Sequence, residues 1–346
     1  MKAQSKVLTI LIFSFLITST SATGSWGALD KTATHTYKKV IKLMGSRFEI
    51  IAVSDDEALA WRGIEAAIRE IQRIEKMISS WDPHSQTNVI VRSAGVRPVK
   101  VDKELFELIR RSKKVSRLTN GIFDISYASM DKIWKFDGSM TRLPTKEELA
   151  ASVAKINYKN IILDAKDQTV FLKAKGMKIG FGGIGKGYAA NRAKAVMLAM
   201  GITSGVVNAS GDLIAWGTQE NGQDWKIGIT DPNDKDKTFC WLNMSNQAVV
   251  TSGNYEKYVE FDGKHYTHII NPKTGMPAAG TKSVTIICPD AELADALATS
   301  VFILGEKDGI DLLNRLDRIE GLLINDRNQI FTSKNLHLNF YKGTMR

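Results

Sequence analysis

The chain has 346 residues and a formal net charge of +10, with 43% apolar and 24% charged residues. This composition excludes a disordered chain and leaves room for one large domain, or two ordinary ones, with a sizeable core. Its densest basic cluster, Arg110-Arg111 with Lys113-Lys114, is too short for a nucleic-acid stripe, so no nucleic-acid partner is expected.

Lys2 and Lys6 precede an apolar run from Val7 to Ile17, and small polar residues follow. That order reads as a secretory signal peptide over residues 1–22, cut after Ala22. The apolar run is too short for an ordinary membrane span, and an uncleaved N-terminal anchor is the second reading. No cysteine follows the run. The expectation is therefore an exported protein that is not a lipoprotein, periplasmic or membrane-associated on the outer side of the inner membrane. Residues 37–53 read as a strand pair broken at Met44-Gly45-Ser46. Ser54 and Glu57 form a capping box. It opens a long helix whose buried face carries Trp61, Ile64, Ile68, Ile71, Ile74 and Ile78. Ser79-Ser-Trp-Asp-Pro83 closes that helix.

A second helix is expected over 103–118 and a short one over 144–155. A hairpin follows at 160–163 and 169–172, then a glycine-rich stretch and an alanine-rich helix over 188–200. Residues 205–287 are mostly strand-like. The chain finishes with a helix over 292–304 ended by Gly305, a helix over 308–316, and strands near 322–325 and 329–332. Cys240 and Cys288 carry no disulfide framework and read as structural thiols. There is no internal repeat and no regular βαβ alternation. One α+β domain over 36–340 is expected, not a doubly wound sheet.

Three stretches carry chemistry. Gly180-Phe-Gly-Gly-Ile-Gly-Lys-Gly187 mimics two phosphate motifs. The P-loop reading fails because Gly187 stands where Ser or Thr is required. The dinucleotide reading lacks its βαβ setting, and its nearest acidic residue, Asp212, comes too late. What remains is a glycine-rich helix N-terminus with Lys186 beside it, a place that favours an anion. Asp295 and Thr299 lie four apart on one helix face, oxygen ligands suited to a hard cation. His268 sits between a strand-like run and a Pro/Gly turn, a common setting for functional loops.

In order, Met44-Gly45-Ser46, the S-x-W-x-x-x-S of residues 79–85, Gly121-Ile-Phe-Asp124, Gly182–Tyr188, Asn208-Ala-Ser-Gly-Asp212, His268–Pro277 and Ala294–Ser300 resemble the ApbE family. These are Mg²⁺-dependent FAD:protein FMN transferases, and the likeness runs from about residue 42 to 305. It implies a single ApbE-like, T-fold-like domain of mixed and antiparallel sheets with packed helices. It also implies transfer of FMN from FAD to a Thr or Ser hydroxyl, with AMP released. By matching positions, Asp295, Thr299 and the Gly183 carbonyl would hold Mg²⁺. Lys186 and the glycine-loop amides would hold phosphate. Met44, Trp81, Ile122, Phe123, Asp124 and Ile269 would line the FAD site, and His268 would take the acceptor's proton. The family's acceptors are exported domains such as Nqr- or Rnf-type subunits and extracellular reductases. This sequence departs from the pattern at Gly180, Asn254 and Asn271, where the family usually carries Asp. A Mg²⁺-dependent FAD pyrophosphatase and a non-catalytic FAD-binding protein are the alternative readings.

Overall fold

The computed structural model describes residues 33–254 and 258–340; the signal-peptide reading falls outside them. The chain begins with β1 (His35–Leu43), β2 (Ser46–Ser54), α1 (Glu57–Ile78), α2 (Gln86–Arg92), β3 (Val99–Lys100) and α3 (Lys103–Leu118). A 3-10 turn (Ile125–Ser129) leads to α4 (Lys146–Val153), β4 (Ile161–Asp164), β5 (Thr169–Leu172) and α5 (Gly185–Ala199). Next come β6 (Ser204–Ala209), β7 (Asp212–Trp216), β8 (Trp225–Asp231), β9 (Asp234–Met244), β10 (Gln247–Gly253), β11 (Tyr258–Phe261) and β12 (Lys264–Thr267). The last elements are β13 (Thr281–Cys288), α6 (Ala291–Leu313), β14 (Glu320–Asn325), β15 (Ile330–Thr332) and β16 (Asn339–Phe340).

Eight strands form one antiparallel sheet in the order β1-β2-β6-β7-β10-β13-β14-β15. Side chains alternate between the faces of a strand, and this sheet buries both. Ile50, Val207, Val250 and Ile286 pack under helices α1, α5 and α6. Val206, Val249 and Ile324 pack on the opposite side with Trp225, Ile229 and Leu242 of the β16-β9-β8 sheet. The α+β expectation with antiparallel sheets is therefore met. Among the described residues no helix is long and apolar enough to cross a membrane. Cys240 and Cys288 are free and buried, and burial pushes their thiols up to about 12 and about 11.

Local expectations needed correction in several places. The N-cap of α1 is Asp56, which accepts from the Leu59 amide at 2.9 Å. Ser54 is still strand, and its Oγ accepts from the Asp56 amide instead. Trp61 is 38% exposed, edge-on to Tyr37, while the isoleucines of α1 are buried. The true capping box belongs to α4, between Thr145 and Glu148. Helix α2, capped by Ser85, and the two-residue β3 are too short to announce themselves by periodicity. Gly305 does break the last long helix, at φ 78°.

Two tight turns set one end of the sheet. Met44-Gly45 joins β1 to β2 and Ser210-Gly211 joins β6 to β7, each with both residues at positive φ. Such two-residue turns match the twist of a hairpin. Ser210 Oγ donates to the Arg47 carbonyl at 2.9 Å, which ties the two ends together.

Helix α5 starts three residues earlier than expected, inside the glycine stretch. A Cβ on Gly187 would stand 2.0 Å from the Ala291 carbonyl oxygen, so only glycine lets α5 approach the start of α6. Asn191 and Asp290 bond across the same contact, Asn191 Nδ2 to Asp290 Oδ1 at 2.7 Å and the Ala291 amide to Asn191 Oδ1 at 3.0 Å. Gly187→Ala is expected to lower stability by about 3 kcal/mol, since backbone must move to relieve the overlap. A denaturant midpoint equal to that of the unmodified protein would contradict this packing.

Candidate functional site

A two-lobed cleft opens beside the turns. The first lobe holds about 450 Å³ and is lined by the 122–128 segment, the glycine loop, residues 268–270, and Thr299 and Ile303 of α6. The second holds about 420 Å³ and is lined by Met44, Gly45, Ser46, the end of α1, Phe181, Gly182 and Lys186. Ser80, Trp81, Phe181 and Gly182 line both lobes. Of the expected site residues, Met44, Trp81, Ile122, Phe123, Asp124, Gly183, Lys186, His268, Ile269 and Thr299 all face this cleft. Asp295 lies buried behind it.

Each position has a local cause. Met44 sits at φ 49°, a left-handed conformation unusual for a residue with a side chain. Trp81 is 85% exposed on the short link after α1, with the Lys132 ammonium 5.2 Å from its ring centroid. His268 follows directly on β12, and its ring meets Phe136 edge-on at 6.5 Å. The Gly180 amide donates to the Ile125 carbonyl at 2.9 Å, which pins the glycine loop to the 3-10 turn.

Asp124 is at the cleft, but its carboxylate is committed to the backbone. It accepts from the Ser126 amide at 2.8 Å, the Ser126 hydroxyl at 2.7 Å and the Tyr158 amide at 2.7 Å. Burial raises its pKa, and these bonds act against the rise. Its direct work is to hold the loop that presents Ile122 and Phe123.

Glycine-loop chemistry also differs from expectation. The N-cap of α5, Ile184, offers no side-chain bond. Asp295, in the first turns of α6, supplies the missing acceptor: the Gly187 amide donates to its Oδ2 at 3.1 Å. This amide therefore faces a carboxylate, not an open phosphate pocket. The Lys186 ammonium lies 2.6 Å from Asp212 Oδ2. Asp212, only 2% exposed, starts β7 directly after the Ser210-Gly211 turn. Sequence reasoning set Asp212 aside as the acidic residue of a dinucleotide motif, quoted it as the end of a family motif, and missed its partnership with Lys186 and Asp295. Its signal was the acidic residue closing Asn208-Ala-Ser-Gly-Asp212.

Burial holds the Asp295 carboxyl well above the usual carboxylate range. The nearby Asp212 charge adds to the rise, and Lys186 with the α5 amides opposes it. Lys186 is thus in ion-pair contact with Asp212, while its charge also acts on Asp295. Thr299 stands one turn beyond Asp295, its Oγ1 3.5 Å from where a Cβ on Gly183 would sit. Among the described residues no three His, Cys, Asp or Glu side chains gather as a metal cluster. The side-chain donors there are the Asp295 carboxylate and the Thr299 hydroxyl, one turn apart on α6 beside Gly183. That set fits the chemistry of a hard cation such as Mg²⁺, which takes few protein carboxylates and keeps sites for water and substrate oxygens.

The departures from the family pattern have local explanations at two positions. Asn271 Oδ1 accepts from the Lys273 amide at 2.9 Å within the 271–276 turn, a bond that an Asp would make equally well. A Cβ on Gly180 would meet Ala128 Cβ at 3.0 Å, so a larger residue would press on the cleft wall. The Asn254 backbone amide donates a hydrogen bond to the Lys282 carbonyl at 2.9 Å, which explains nothing about its side chain.

The ApbE family profile matches residues 44–323. The chain is similar to the FAD:protein FMN transferase of Klebsiella pneumoniae (strain 342), 31% identical over 300 residues, 86% of this chain and 92% of that one. It is similar to the enzyme of the same name from Treponema pallidum (strain Nichols), 29% identical over 280 residues, 75% of this chain and 77% of that one. Among solved structures, an ApbE protein from Thermotoga maritima superposes with a TM-score of 0.79 at 32% identity, covering 87% of this chain and 97% of that one. Flavin transferase ApbE from Vibrio cholerae shares the fold, with a TM-score of 0.78 at 22% identity over 87% of this chain and 98% of that one. With most of its motifs on one cleft and the family profile matched over residues 44–323, this chain belongs to the ApbE family.

Proposed function

We propose that this protein is a Mg²⁺-dependent FAD:protein FMN transferase, moving FMN from FAD onto a Thr or Ser hydroxyl of an exported acceptor protein and releasing AMP. The observation that carries this reading is the two-lobed cleft, with lobes of about 450 and 420 Å³ that join at the glycine loop. A dinucleotide needs two such lobes with charge between them. Apolar and aromatic walls suit its rings; Thr299 lines one lobe and Lys186 the other, with the Asp295 carboxyl buried nearby. The N-terminal pattern of residues 1–22 supports work outside the inner membrane.

In this reaction the acceptor oxygen bonds to the FMN phosphorus. The bridging P–O bond breaks, AMP leaves with the bridging oxygen, and the hydroxyl proton passes to His268. Such phosphoryl transfer needs positioning and charge neutralisation more than covalent help. Mg²⁺ held by Asp295, Thr299 and the Gly183 carbonyl would neutralise charge on the pyrophosphate oxygens. Lys186 adds positive charge on the second-lobe side. Trp81, shared by both lobes, stacks on a ring of FAD, with Lys132 steadying its exposed indole. Trp81→Ala is expected to weaken FAD binding by about 1–3 kcal/mol, roughly 5- to 150-fold. FAD fluorescence titration reads this directly, and an unchanged Kd would remove Trp81 from the site.

A second reading, FAD pyrophosphatase, needs the same cleft with water in place of the acceptor hydroxyl. AMP release measured with and without an acceptor domain separates the two. Release that depends on the acceptor supports the transferase. Equal release without it, accompanied by free FMN, supports the pyrophosphatase.

A further inference from the structure

The half-buried Lys186 and the buried Asp295 belong to one small cluster. The amide that follows Lys186 in the chain, that of Gly187, donates to Asp295, and the Lys186 charge acts on the Asp295 carboxyl. A flexible ammonium so close to a buried carboxylate is a natural competitor for any cation that needs it. Yet the ammonium sits 2.6 Å from Asp212. Asp212 can hold it firmly because its own backbone is fixed. It pairs with Ala209 across the two-residue turn, opposite the strand that carries Asn208, and it is 2% exposed.

We propose that Asp212 is a positioning residue that holds the Lys186 ammonium off Asp295, keeping that carboxylate open to a divalent cation. The inference rests on the metal reading of Asp295 given above. Side chains one step removed from a metal commonly change its affinity by about 10- to 100-fold. With Asp212 neutralised, the half-buried Lys186 ammonium, 29% exposed, turns toward the Asp295 carboxylate on which its charge already acts. Lys186 then occupies the position of the cation.

The test is a double-mutant cycle read by metal binding. Mn²⁺ alone is titrated into the full chain and followed by electron paramagnetic resonance, for the unmodified protein, Asp212→Asn, Lys186→Met and the double variant. The Mg²⁺ concentration giving half-maximal FAD turnover is measured alongside for the variants that turn over. Asp212→Asn is expected to weaken Mn²⁺ binding at least about tenfold. Removing Lys186 as well is expected to restore affinity to within about threefold of Lys186→Met alone, because the competitor is gone. A merely structural role for Asp212 would not be rescued by a second loss. Asp212→Ser is the second substitution, so that a folding failure of one variant does not decide the matter. Asp212→Asn binding as the unmodified protein does would overturn the proposal. So would a double variant as weak as Asp212→Asn, which would mean Asp212 acts on the ion directly. An unmodified protein that binds no Mn²⁺ and turns over FAD without Mg²⁺ would instead overturn the metal reading of Asp295.

Discussion

Asp295→Asn is expected to leave a folded protein that turns over FAD at least about 10³-fold more slowly, a loss of about 4 kcal/mol of transition-state stabilisation. The asparagine can still accept from the Gly187 amide, so the tertiary cap of α5 survives. It cannot supply the charge that a hard cation requires. Burial and the Asp212 charge already disfavour the ionised form of Asp295, so an uncharged amide costs little there and thermal stability is expected to hold. The informative result is this divergence of activity and stability. AMP release across a range of Mg²⁺ concentrations, set beside thermal unfolding, measures both. Turnover within tenfold of the unmodified protein would remove Asp295 from the metal site.

His268→Asn is expected to slow transfer to the acceptor by about 10²- to 10⁴-fold, the usual contribution of a positioned proton acceptor. FAD affinity should change little, because His268 stands on the wall that follows β12 while Trp81 and the glycine loop remain intact. Single-turnover transfer rates with FAD saturating isolate the chemical step. A rate within threefold of the unmodified enzyme would mean that the proton leaves by another route, through water or substrate phosphate.

The sequence made the parts of the site legible because each is a short local pattern. The glycine loop, the Asp295/Thr299 pair and the His268 turn are readable where they stand, and their gathering on one cleft follows the family resemblance. Their mutual relations were not readable. Lys186 meets Asp212, and Gly187 meets Asp295, only because the α5 N-terminus is wedged between the β6–β7 turn and α6. No periodicity reports such contacts across the chain. The α1 start shows the same limit locally. Ser54 and Asp56 are both good caps, and the choice fell to Asp56 because β2 pairs through Ser54 with His35. Trp61 fitted the helical spacing of the isoleucines, yet its ring lies at the sheet edge against Tyr37, where burial is incomplete.

The central claim is transfer of FMN to a protein hydroxyl. The most direct measurement is intact-mass spectrometry of a purified exported acceptor domain after incubation with this protein, FAD and Mg²⁺. The account predicts a mass gain equal to one FMN phosphoester, located on a Thr or Ser and absent with Asp295→Asn. Acceptor of unchanged mass, with FAD fully converted to free FMN and AMP, would contradict it.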